Sequence, residues 1–209
     1  MTAPQKRTPG CSRASAETRI EHADSSPPAE QTDGLHAAHV ETRASHRRLF
    51  LALDRCNSFT RLEALIQLSF KMDRDDWLVA LGQNWSCCDN VWRFRTVLQR
   101  LLPPTGPVSG LMTAQEQEAY AALPAILTVY RGCGARNMLG ASWSLDKGIA
   151  ARFPFMNRYR TPHPRLVTAT VPKRDVLAVK LDREETEIIT FKARRTQVEA
   201  LPEHVERRQ

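Results

Sequence analysis

Around Pro124 the hydrophobic pattern of this 209-residue chain changes its period, and that change limits the fold more than any other feature. Before it, apolar side chains recur at three- and four-residue steps. After it, short β-branched runs alternate with glycine and proline. A helical period and a strand period segregated along one chain specify an α+β architecture rather than alternating βαβ units.

From about Ser45 the spacing predicts a helical front over residues 45–122. Leu49 and Leu53, then Leu62, Leu65, Ile66, Leu68 and Phe70, form the first apolar series. Asp73, Asp75 and Asp76 precede Trp77, Leu78 and Leu81, as acids do at a helix N-terminus, and Gly82 is expected to end that helix. A third helix is expected from Asp89 to Leu102, with Val91, Phe94, Val97, Leu98 and Leu101 on one face and Pro103-Pro104 stopping it. Thr113 with Glu116 three residues later has the form of a capping box for a short helix through Tyr120.

Residues 123–195 read as mainly β. Ile126 to Tyr130 is a buried strand, and Ala141-Ser142-Trp143 a shorter one. Ser144 is placed to cap a helix reaching Phe153. Arg165 to Val171, Asp175 to Val179 and Glu185 to Phe191 are the remaining expected strands.

Residues 1–42 are poor in large apolar side chains and rich in Ala, Ser, Thr, Pro and charge. They are expected to form a disordered or loosely ordered tail, which leaves 43–209 as one domain. That tail holds four basic and six acidic residues, so the rest carries 26 basic against 17 acidic side chains, a net +9 that attracts polyanions. No run approaches the roughly 20 apolar residues of a membrane span, and the polar N-terminus leads into no apolar signal core. A soluble cytoplasmic protein without membrane contact is expected, with delivery into a target cell left open. Five cysteines without CxxC pairing and scattered histidines without HExxH spacing offer no ligand set, so no metal is expected.

Three pieces carry chemistry. Arg131, beside Gly132 at a strand end, offers a planar fork of donors suited to phosphate, although a rim arginine is the plainer reading. Ser142-Trp143-Ser144 puts two hydroxyls on one side of a strand, where a helix cap is the plainer role. Glu185-Thr186-Glu187 puts two carboxylates on one side of another, costly unless solvated or near a cation.

In this order, a strand-end arginine, Ser-x-Ser and a late Glu-x-Glu resemble the arginine–serine–glutamate class of ADP-ribosyltransferases. Gly140-Ala141, Ala150 to Phe153, Val176-Leu177-Ala178 and Arg183 before Glu185 fit that pattern, and Asp76-Trp77-Leu78, Trp85 and Cys88-Asp89-Asn90 look like the helical front of small bacterial and phage-borne members. The resemblance covers roughly residues 70–192. It implies a helical half packed on a split β-sandwich that grips NAD as substrate. By resemblance, Arg131 binds the NAD phosphate or nicotinamide-ribose side, Ser142 holds the cleft through hydrogen bonds to the catalytic glutamate, Glu187 bonds the ribose 2′-hydroxyl, and Glu185 orients or deprotonates the acceptor. Gly132, Ser144 and Phe153 (or Phe155, by stacking) complete the implied NAD contacts.

Trp143 departs from the threonine common at that place in the family. The link from Lys180 to Glu184, where family members read their acceptor, has no aromatic clamp. The resemblance implies an arginine of a target protein as acceptor. A nucleic acid is the runner-up, on the basic balance and on Arg152, Arg158, Arg160, Arg165, Lys173 and Arg174, and water is a third. A toxin, a phage effector and a regulator share this chemistry. A basic nucleic-acid-binding module without catalysis, built on Arg93, Arg95 and Arg100, is the reading from a different class.

Overall fold

The structure, a computed structural model, describes residues 53–156, 159–182 and 185–202, all within the compact unit Arg43–Gln209. The expected tail, Leu49 and Arg158 lie outside the described residues. The class is α+β: among the described residues five α-helices accompany a six-stranded antiparallel sheet.

The helical front contains α1 (Arg61–Leu68), α2 (Arg74–Asn84), α3 (Arg95–Leu101) and α4 (Ala114–Ala121). Leu62, Leu65, Trp77, Leu81 and Leu98 are fully buried at their contacts. The Trp77 indole donates to the Leu65 carbonyl at 2.7 Å, which joins α1 to α2. Asp73 caps α2 by accepting from the Asp75 amide.

Three expectations for the front change. Gly82 does not end its helix; α2 continues to Asn84 and runs into a 3₁₀ turn, Trp85–Cys87. A Cβ at Gly82 would sit 2.4 Å from the Leu111 carbonyl oxygen, so the residue permits close approach of two backbones. The expected third helix opens as a 3₁₀ turn, Val91–Phe94, before α3. The tighter turn shifts the phase of the apolar face, which leaves Val97 exposed while Leu98 is buried. Phe70 lies beyond the end of α1 and is exposed.

The strands are β1 (Ile126–Cys133), β2 (Ser142–Ser144), β3 (Arg165–Pro172), β4 (Ala178–Lys180), β5 (Glu187–Ile189) and β6 (Arg194–Ala200), ordered β4-β5-β2-β1-β3-β6. β1 and β3 pair along eight residues, from Ile126 opposite Pro172 to Cys133 opposite Arg165. β1 and β2 share one pair, Tyr130 with Ser144. The ladder is therefore two three-stranded halves joined by a single registered pair.

Asp175 belongs to the turn Lys173–Asp175 rather than to β4, and β5 is confined to three residues between the bend at Glu185 and Thr190. Asp146, not Ser144, caps the helix α5 (Lys147–Arg152), by accepting from the Ile149 amide at 2.8 Å. β6, beyond the expected β region, is an exposed edge strand whose charged side chains hid its period.

One buried ion pair fastens the front to the sheet. The Lys180 ammonium in β4 donates to Glu116 Oε2 at 2.8 Å and to the Leu111 carbonyl at 3.3 Å. Glu116 also accepts from the Leu181 amide at 3.1 Å and, closing the expected capping box on α4, from the Thr113 amide at 2.8 Å. Burial alone would raise the Glu116 carboxyl, but Lys180 and the two amides together hold it below the usual value.

Glu116→Ala leaves Lys180 buried without its partner and should cost about 3–5 kcal/mol in urea unfolding. A depressed carboxyl contributes stability that is full above its unfolded pKa and fades as pH falls through the folded one. The gap between wild type and variant should accordingly close on acidification, and a gap unchanged down to pH 2 would contradict this.

Candidate functional site

Where β1 and β2 part, a cleft of about 660 Å³ opens. That lies within the range of pockets that hold small ligands. Arg131, Gly132, Ser142, Ser144, Phe153, Glu185 and Glu187 all line it, so each predicted site residue reaches one place. Phe155, the alternative to Phe153, does not line it.

Arg131 lies within β1, not at its end, and its side chain spans the gap to β2. Nε donates to the Asn137 carbonyl at 2.9 Å, and Nη1 donates to the Ser142 carbonyl. The guanidinium packs against Gly140, where a Cβ would come within 2.3 Å of Cζ. Burial lowers its pKa, while Cys133 and Glu187 oppose that shift and Arg95 adds to it. An arginine remains cationic throughout the working pH range. Two of its five N–H groups therefore hold the cleft wall together. Next to it, burial pushes the Cys133 thiol up, against the pull of Arg131 and Arg165.

Glu187 opens β5, opposite Ser144 on one side and Lys180 on the other. Its side chain is 9% exposed, and its Oε1 accepts from the Trp85 indole at 2.9 Å. The glutamate thus takes its hydrogen bond from the helical front, whereas the resemblance assigned that bond to Ser142. Ser142 instead engages Arg131 through its carbonyl, and the Ser144 hydroxyl accepts from the Asp146 amide at 3.1 Å. Glu185 sits in the bend before β5, so strand alternation is not what brings the two carboxylates together. Both are nevertheless buried in the same cleft.

Gly132 serves packing. A Cβ there would fall 1.9 Å from the Ala150 carbonyl oxygen and 2.6 Å from Pro154 Cδ, so only glycine lets α5 cross β1 at this distance. Phe153 tilts against Tyr159 with ring centroids 5.5 Å apart, and the Tyr159 hydroxyl donates to Asp89 at 3.0 Å. Trp143 is buried, and its indole donates to the Gly140 carbonyl.

Residue-by-residue reading missed the part played by Trp85, which appeared only within the family-like pattern of the helical front. It also missed Tyr159 and the exposed rim of Phe59, Trp92, Arg136 and His163. The basic cluster expected beside the cleft is spread over several elements, with Arg165 opposite the lining residue Cys133. Among its described members Arg160 alone lines the cleft; Arg152 ends α5, Arg165 starts β3, and Lys173 and Arg174 lie in the turn after β3. Lys180 belongs to the buried sheet rather than to an acceptor-reading link. Among the described residues no three His, Cys, Asp or Glu side chains could hold a metal ion, and no helix is long and apolar enough to cross a membrane.

Trp85→Phe keeps the ring but withdraws the donor from a buried carboxylate oxygen, which should cost about 1–3 kcal/mol. In a Glu187→Ala background the same change should cost much less, and equal costs in both backgrounds would mean that the bond does not couple the two residues. No family model, curated protein or solved structure matches the chain.

Proposed function

We propose that the chain is an NAD-dependent mono-ADP-ribosyltransferase that releases nicotinamide and moves ADP-ribose to an acceptor. The observation that carries this reading is the meeting of Arg131, Ser142, Ser144, Glu185 and Glu187 in one cleft of ligand size. They come from three neighbouring strands and a bend, and the sheet order β5-β2-β1 sets them side by side at one cleft. The parting of β1 from β2 supports a split β-sandwich core as the frame of the cleft.

The chemistry follows from charge. Loss of nicotinamide leaves a ribose with oxocarbenium character, which a fixed carboxylate stabilises more than it stabilises the ground state. Glu187 suits that role because the Trp85 indole fixes one of its oxygens, leaving the other for a ribose hydroxyl. Glu185 is the candidate to take the acceptor's proton. Arg131 has N–H groups beyond the two that hold the wall, and these suit the pyrophosphate. Phe153 is the candidate to stack against the nicotinamide ring. NAD enters as a substrate, and no resident cofactor is invoked.

Glu187→Ala should fold, as judged by circular dichroism, and lose nicotinamide release by at least about a hundredfold. Release at the wild-type rate would remove the mechanism. Arg131→Lys keeps the charge without the fork and should weaken NAD binding about tenfold by calorimetry; unchanged affinity would free Arg131 from the phosphate role.

A further inference from the structure

We propose that the acceptor is a base of single-stranded nucleic acid. This rests on the transferase reading and names its second substrate.

The mouth of the cleft is aromatic and cationic. Trp92 and Phe59 both line it, 39% and 52% exposed. The Arg93 guanidinium lies 5.7 Å from the Trp92 ring centroid, so ring and cation form one surface. Arg136 and Arg160 are exposed in the same lining, and neither has a carboxylate partner among the described residues. The described carboxylates of the cleft, Asp89, Glu185 and Glu187, are all buried. The buried acids share the interior with Arg131, while the exposed charges of the lining itself are cationic.

An arginine side chain of a target protein would carry its charge past Arg136 and Arg160, and like charges facing one another disfavour that encounter. A single strand meets the opposite arrangement, with phosphates against the arginines and bases against Trp92 and Phe59. A duplex keeps its bases stacked and withholds the nucleophile. In the transfer, the bond between the ribose anomeric carbon and nicotinamide breaks, and its electron pair leaves on nicotinamide, which becomes neutral. A base nitrogen's lone pair forms the new bond to that carbon. Its proton passes to Glu185 and on to water, and nothing is oxidised or reduced.

The test uses the full chain and NAD labelled on its adenylate phosphate, with nicotinamide release measured in every reaction. The acceptors are random-sequence single-stranded DNA, single-stranded RNA, a DNA duplex, an arginine-rich histone mixture, and none. Label should enter a single strand, resist protease, yield to nuclease, and exceed that in duplex or protein by about tenfold or more. It should fall steeply with salt. Trp92→Ala should raise the single-strand concentration for half-maximal labelling about tenfold, and Trp92→Phe should restore most of it. Preferential labelling of protein overturns the inference and leaves the transferase reading standing. Nicotinamide release with label in neither polymer does the same and makes water the acceptor. Unchanged labelling by Trp92→Ala overturns the proposed base seat. No nicotinamide release in any reaction overturns the transferase reading itself.

Discussion

Two halves of a β-sheet joined by a single registered pair leave a gap in the ladder between them. Here a guanidinium keeps them at a working distance. Arg131 leaves β1, crosses the gap, and bonds to the carbonyls of Asn137 and of Ser142 in β2. Glycine at position 140 gives it room to lie flat. The cleft exists because the sheet parts at Tyr130 and Ser144, and it keeps its width because a rigid, permanently charged side chain spans it. The residue most readily assigned to ligand binding is therefore also part of the frame.

The helical front contributes to the site as well as to the core. Trp85 reaches across to Glu187, and Arg95 donates to the carbonyls of Leu139 and Phe191 at 2.5 and 2.6 Å. The Val108 amide bonds to the Leu177 carbonyl, just before β4. Glu116, which caps its own helix, also holds Lys180 and the Leu181 amide in place. These are buried or partly buried polar contacts that have good partners only when both halves are folded.

What the sequence made legible was local or periodic. The change near Pro124, the capping box at Thr113 and Glu116, and the strands on either side of the cleft are all written in neighbouring residues. The convergence of Arg131, the serines and the glutamates was legible through their order and family-like spacing. Contacts set by tertiary approach were not legible. Gly82 resembles a helix stop by type, yet the nearby Leu111 backbone is what requires a glycine there. Trp85 and Glu187 stand 102 positions apart, and nothing local in either marks the other as its partner. The face of α3 was misjudged because a single 3₁₀ turn rotates every side chain after it. β6 was missed because an edge strand rich in charge carries no apolar alternation.

The bond from Trp85 to Glu187 also bears on how this chain could be divided. The change of period at Pro124 looks like a seam at which a helical module was joined to a β module. A fragment starting there would lack the indole that holds the glutamate and the carboxylate that neutralises Lys180. It would keep a buried acid and a buried base, each stripped of a partner. The visible border in composition is thus not a border in cooperativity, and the smallest unit able to present this cleft includes both sides of it.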